Sequence, residues 1–325
     1  MKKNILLITT GGTIAMKFDQ NLGVVPESDL VPFLKSFPQL NDVANITVIE
    51  FSNIPSPYMI PNKMMQMAKL ITREIDKFDG IVITHGTDTL EETAYLLDLV
   101  LETKKPVILT AAMRSGSELG LDGPRNIVGA VRVASNEESY DKGVLVVMND
   151  EIHSARDVIK MDTGKVEAFV SMEYGILGIV DPDRVIYYRS QAHHEKIITD
   201  KLDTRVELIK ACAGMDGKFI NCCINNGVRG IVIEAFGRGN LPPDTIPALE
   251  NALEQDIIIV IVSRTYKGRV LPEYGYTGGG KHLAKMGAIL SGDLKGPKAR
   301  IKLMTLLGKY KTTEEVRQNY PFVLD

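Results

Sequence analysis

The sequence has no tryptophan, only three cysteines and five histidines, and no surplus of either charge. Each shortage removes a class of reading. Cys212, Cys222 and Cys223 are odd in number, two of them are adjacent, and no Cys-x-x-Cys spacing occurs. That excludes a disulfide framework and offers no zinc-ligand pattern, so the thiols are expected to be free in a reducing compartment. His85, His153, His193, His194 and His282 show no spacing that pairs them with a second metal-binding group. With 38 Lys and Arg against 41 Asp and Glu, a net charge of −3, no basic face is implied and nucleic acid is not an expected partner. No apolar run approaches the ~18 residues of a membrane span. The apolar stretch 5–8 is shorter than the ~7–15 residues of a secretory core. The expectation is a protein that stays in the cytoplasm, with no membrane partner.

A length of 325 residues suggests two domains, or one large one. A chain of this length can bury a core without disulfides or structural metals. Short Val- and Ile-rich runs at 5–8, 46–51, 80–83, 106–109, 144–148, 230–233 and 257–262 predict buried strands, apolar on both faces. Between them, 62–78 carries Met64, Ala68, Ile71, Ile75 and Phe78 on one helical face. Thr89-Leu90-Glu91-Glu92 has capping-box spacing before a second helix, and 243–253 reads as a third. This alternation predicts an α/β protein with mainly parallel sheets. The polar stretch 189–204 reads as a linker between an N-terminal domain, 1–188, and a C-terminal domain, 205–325.

Three strand ends carry chemistry. Thr10-Gly11-Gly12-Thr13 follows the first strand, where ligands bind in open α/β sheets. Its glycines let bare N–H groups approach a ligand, and Thr13 adds a hydroxyl. No Gly-Lys-Ser/Thr ending follows, which disfavours a phosphate loop. His85-Gly86-Thr87-Asp88-Thr89 also follows a strand and opens a helix. Thr87, Asp88 and Thr89 are competent N-caps, yet one cap leaves the rest of the hydroxyl–carboxylate cluster unexplained. His85 reads as structural. The third end is Asn149-Asp150, followed by Arg156-Asp157 and Lys160. Lys160 is either a solvated surface charge or, beside a buried Asp, a paired cation that eases deprotonation of a neighbouring hydroxyl.

At these places the sequence resembles the bacterial-type L-asparaginase (asparaginase/glutaminase) family. The matching stretches are Thr10-Gly11-Gly12-Thr13-Ile14-Ala15 and Ile83-Thr84-His85-Gly86-Thr87-Asp88-Thr89-Leu90-Glu91-Glu92-Thr93-Ala94. Ala112-Met113-Arg114, Asp122-Gly123-Pro124, Val146-Val147-Met148-Asn149-Asp150, Arg156-Asp157 with Lys160, and Gly237-Arg238-Gly239-Asn240 follow in the same order. The resemblance implies a larger flavodoxin-like or Rossmann-like N-terminal domain, a smaller C-terminal α/β domain, and a homotetramer built from dimers. It implies hydrolysis of an amino-acid amide without metal or organic cofactor. Thr13 takes the position of the nucleophile, and Thr87, Asp88 and Lys160 that of the second catalytic group. Gly12, Ser56, Thr87, Asp88, Ala112 and Asn240 take substrate-binding positions. Ser56 would hold the α-carboxylate, Asp88 the α-ammonium, and the Ala112 carbonyl would lie near the side-chain amide. Asn240 would reach the site of a neighbouring copy.

Two departures stand out. Pro55-Ser56-Pro57-Tyr58 replaces a Gly-Ser-Gln common in the family, and the expected lid, residues 16–23, has no tyrosine. Tyr58 and Tyr276 are candidate substitutes. The expected function is hydrolysis of asparagine to aspartate and ammonia through an acyl-threonine, placing the chain in asparagine catabolism. Alternatives are hydrolysis of glutamine or an N-substituted asparagine, the ammonia-releasing subunit of a tRNA amidotransferase, or a non-catalytic amino-acid sensor. The sequence leaves open which of Thr13 and Thr87 attacks first.

Overall fold

The computed structural model describes residues 2–13, 16–19, 23–26, 38–191 and 194–320. The chain forms two compact units that divide between Lys196 and Ile197. In the first, β1 (Asn4–Thr9) ends in the double-glycine turn, and a hairpin of β2 (Met16–Asp19) and β3 (Gly23–Pro26) follows. Residues 20–22 of the expected lid, and Ile14-Ala15 before it, lie outside the described residues. Then come α1 (Pro38–Val43), β4 (Asn45–Glu50), α2 (Pro61–Glu74), β5 (Gly80–Thr84), α3 (Leu90–Val100), β6 (Val107–Thr110), α4 (Gly123–Ser135) and β7 (Val144–Met148). Parallel strands lie in the order β4-β1-β5-β6-β7, the flavodoxin-like arrangement. In such sheets the connections diverge between the first strand and the third, here β1 and β5. A crevice opens there at the carboxyl ends. The register pairs Thr9 with Thr84 and Thr84 with Thr110, so β1, β5 and β6 finish level. The loops after β1 and β5, the two threonine motifs, therefore share one rim.

The sheet then turns antiparallel through β8 (Glu151–Ser154). After β9 (Val158–Lys160) and β10 (Phe169–Ser171), which pair with each other apart from it, β11 (Gly178–Val180) and β12 (Val185–Tyr187) complete eight strands. The reversal is made by Asn149 and Asp150, both left-handed at φ 51° and 65°. Asn and Asp are the non-glycine residues that tolerate this region best. Arg125 clasps the Asp150 carboxylate, with Nε 2.8 Å from both oxygens. β5, β6 and β7 are buried along their whole length, as expected for strands covered by helices. β4 is not. It is the edge strand, and its side chains, Ile46, Val48 and Ile49 included, are exposed or half-buried.

The second unit is a four-stranded parallel sheet, β13 (Val206–Lys210), β14 (Gly230–Ala235), β15 (Ile258–Ser263) and β16 (Ile289–Leu290), in sequential order. Helices α5 (Lys218–Asn225), α6 (Ile246–Glu254), α7 (Gly280–Met286), α8 (Gly296–Lys309) and α9 (Thr313–Gln318) alternate with or follow the strands. Ile231, Ile233, Ile259 and Ile261 alternate along β14 and β15 into one core with Leu249 and Leu283. The three cysteines are free thiols, two exposed and one half-buried. Among the described residues no helix is long and apolar enough to cross a membrane.

Candidate active site

The rim is locked by backbone contacts that only glycine permits. Gly11 and Gly12 adopt φ 96° and 83°. A Cβ on Gly12 would lie 2.4 Å from Gly86 Cα, and one on Gly11 would lie 2.6 Å from Ile54 N. The loop after β1 thus sits directly against both the loop after β5 and that after β4. Thr10 ties all three, donating from N and Oγ1 to the Thr84 carbonyl at 3.2 and 3.0 Å, and accepting from Ile54 N at 2.9 Å. Thr13 follows this packed corner and is half-buried.

Ser56 lies on a single helical turn, Ser56–Tyr58, and is buried. Its Oγ accepts the Asp88 N–H at 3.1 Å, and its carbonyl accepts the Thr89 hydroxyl at 2.8 Å. The capping box expected at Thr89 is therefore absent: the Thr89 side chain makes no cap bond to α3, because it spends its hydroxyl on the Ser56 loop. Tyr58 on the same turn is exposed. Tyr276 belongs to the second unit.

The opening of α3 also receives Lys160. Lys160 Nζ lies 2.6 Å from Asp88 Oδ1 and donates to Thr87 Oγ1 at 2.9 Å. Its backbone N–H donates to Glu91 Oε2 at 2.8 Å. The loop that opens α3 thus grips the tip of Lys160, and the first turn of the helix grips its main chain. Behind it, Arg156 and Asp157 form a largely buried pair at 3.0 Å, and Ser154 Oγ donates to Asp157 Oδ2, bracing the segment from β8 to β9. The reading of Lys160 as a solvated surface charge fails, since its side chain is 18% exposed and doubly bonded. The burial expected of Asp88 fails too: its side chain is 59% exposed, because it projects from the helix-opening loop toward solvent.

His85 is fully buried beneath this loop. Its Nδ1 lies 2.7 Å from the Gly86 carbonyl and must carry the proton, which leaves Nε2 to accept from the Thr93 hydroxyl at 3.0 Å. Burial pushes its pKa down to about 4 from 6.5, against a smaller opposing effect of the Gly86 bond. The neutral form is the folded form, so its stability contribution is complete above pH 6.5 and disappears as pH falls toward 4. Over that window the wild type should lose about 3 kcal/mol more stability than His85→Gln. Denaturant unfolding at several pH values reads the difference directly, and parallel curves would refute it.

At the β6 exit, Ala112 is buried. Asn126 Nδ2 donates to the Ala111 carbonyl at 2.9 Å and to Asp122 Oδ2 at 3.1 Å, while its Oδ1 accepts the Asn149 N–H. Asp122 accepts the Met113 and Arg114 N–H groups, each at 2.9 Å. Glu91, Asp122 and Asn126 were not among the predicted site residues. Glu91 reads as part of a helix start, and Asp122 enters the sequence reading only within the matching stretch Asp122-Gly123-Pro124. Asn240, in the second unit, accepts the Gly280 N–H on its Oδ1 at 3.2 Å. Among the described residues no cluster of three His, Cys, Asp or Glu side chains is placed to hold a metal ion.

Residues 4–193 match the family described as Asparaginase, N-terminal, and residues 205–319 the Glutaminase/Asparaginase C-terminal domain. The L-asparaginase of Bacillus licheniformis is 36% identical over 96% of this chain and 97% of its own length. One component of the glutamyl-tRNA(Gln) amidotransferase of Methanococcus maripaludis is 32% identical over 96% of this chain and 78% of its own. The crystal structure of a probable cytoplasmic L-asparaginase from Campylobacter jejuni superposes with a TM-score of 0.89 at 32% identity, covering 98% of this chain and 99% of that one. The chain is an enzyme of the bacterial-type L-asparaginase family.

Proposed function

We propose that this chain is a cytoplasmic L-asparagine amidohydrolase using Thr13 as nucleophile. The observation that carries the proposal is the convergence of Lys160 Nζ on Thr87 Oγ1 and Asp88 Oδ1, on a loop wedged against the Gly11-Gly12 turn. Binding alone needs neither a second hydroxyl nor a lysine tethered to it, which argues against a sensor. Ser56 Oγ already accepts from Asp88 N–H, so its own proton is available to the substrate α-carboxylate. Asp88 uses Oδ1 for Lys160 and offers Oδ2 to the α-ammonium.

The Thr13 oxygen attacks the side-chain amide carbon. Backbone N–H groups about Gly12 and Thr87 stabilise the oxyanion, a role worth about 3 kcal/mol per donor. The carbon–nitrogen bond breaks, and nitrogen leaves as ammonia with the proton that Thr13 gave up. Water then cleaves the acyl-threonine ester and releases aspartate. The Lys160–Thr87–Asp88 group holds and relays protons for these steps; a lone threonine hydroxyl needs such activation. The chain assembles as a homotetramer of dimers, with Asn240 facing the site of a neighbouring copy.

A second reading keeps the reaction and changes the amide. The exposed Tyr58 beside Ser56, with Pro57 in place of an amide side chain, alters the wall at the α-carboxylate end and admits glutamine or an N-substituted asparagine. Ammonia release is the test, measured with asparagine, glutamine and N-alkyl asparagines at equal concentration. Asparagine should give the highest kcat/KM by at least about tenfold, the scale on which a single methylene is discriminated. Preference for a longer or substituted amide selects the second reading.

A further inference from the structure

The Asp122 carboxylate is unusually employed. It stands at the N-cap position of α4, yet makes no side-chain bond to that helix's backbone. It reaches back instead, with Oδ2 accepting the Met113 N–H and Oδ1 the Arg114 N–H, each at 2.9 Å. Asn126, which is buried, donates to that same Oδ2 and to the Ala111 carbonyl. The peptides on both sides of Ala112 are therefore fastened. Ala111 is held through its carbonyl by Asn126 and through its N–H by Met148 Sδ at 3.2 Å. Met113 is held through its N–H by Asp122.

The Met113 N–H and the Ala112 carbonyl belong to one planar unit. In a trans peptide they point in opposite directions, and the chain has no cis bond among its described residues. Fixing the N–H toward Asp122 fixes the carbonyl away from it. We infer that Asp122, seconded by Asn126, is a positioning residue that aims the Ala112 carbonyl at the departing nitrogen of the substrate amide. The inference rests on the proposed amidohydrolase reading. A carbonyl there accepts an N–H from the amide and from the ammonia forming in its place. It gives nothing to a leaving group without N–H. Asp122 should thus govern the choice between amide and ester, and not reaction in general.

The experiment compares kcat/KM for L-asparagine with that for the β-methyl ester of L-aspartate, which presents no N–H at the leaving group. Their ratio is independent of how much enzyme is folded, so loss of stability cancels. Asp122→Ala should lower the amide-to-ester ratio at least about tenfold, the scale of one hydrogen bond. Asp122→Asn should stay within about threefold of wild type, because its single oxygen can occupy the Oδ2 position where two donors converge. If Asp122→Ala yields no folded protein, Asp122→Ser, whose hydroxyl is too short to reach the Met113 N–H, carries the same expectation. An unchanged ratio in the Ala or Ser variant, whatever happens to the separate rates, overturns the inference. So does an Asn variant as defective in ratio as Ala. Ammonia release from L-asparagine by the wild type, measured alongside, separates the two levels: its absence sinks the amidohydrolase reading, whereas ammonia release with an unchanged Asp122 ratio sinks only the role of Asp122.

Discussion

Thr13→Ala protein will fold normally and release no measurable ammonia from asparagine. Thr13 is only half-buried and follows a corner whose geometry is set by Gly11, Gly12 and Thr10, all upstream of it. Removing one hydroxyl and one methyl from such a position should change stability by under about 1 kcal/mol. Its loss should lower kcat by more than about a thousandfold, as removal of an acyl-forming hydroxyl does elsewhere. If purified Thr13→Ala retains more than about a tenth of wild-type kcat, a difference below ~1.4 kcal/mol, Thr13 is not the nucleophile. Thr87→Ala is the necessary companion, because both hydroxyls share one rim of the sheet.

Lys160→Met should be nearly as damaging as Asp88→Ala and should cost little stability. Methionine keeps most of the length of the side chain and removes the charge that bonds Thr87 Oγ1 and Asp88 Oδ1. A proton-relay group of this kind typically contributes about a hundredfold or more to kcat. The carboxylate it leaves behind is 59% exposed and can rehydrate, so the fold should lose under about 1 kcal/mol. That combination distinguishes a functional pair from a structural one. Breaking a buried ion pair would instead cost about 3–5 kcal/mol. Parallel measurements of kcat/KM and thermal midpoint decide it. Wild-type kinetics would remove Lys160 from the site. A large stability loss would make the pair a brace and not a proton relay.

The parts of this site legible in the sequence are those made of consecutive residues. Thr10-Gly11-Gly12-Thr13 and His85-Gly86-Thr87-Asp88 each lie on one strand exit, so their order alone brings them to one edge of the sheet. The strands beneath them are uniformly apolar and announce themselves. β8 through β12 do not: they are three or four residues long, β8 to β10 mix polar and apolar residues, and the sheet turns antiparallel at two left-handed residues, Asn149 and Asp150. The connections of Ser56 to Asp88 and Thr89, of Glu91 to Lys160, and of Asp122 to Met113 span loops whose lengths carry no pattern. Local rules assign Thr89 and Glu91 to the helix start, and tertiary contacts claim them for other work. Asp88 reads as buried because its neighbours are; the structure turns its side chain outward.

The central claim is that an ester forms on Thr13. Wild-type enzyme turning over L-asparagine can be quenched in acid, digested, and its peptides mapped by mass spectrometry. One aspartyl group should appear, esterified to the Thr13 hydroxyl, with the peptide that carries Thr87 unmodified. An aspartyl group on Thr87 and none on Thr13 would contradict the assignment and exchange the roles of the two threonines.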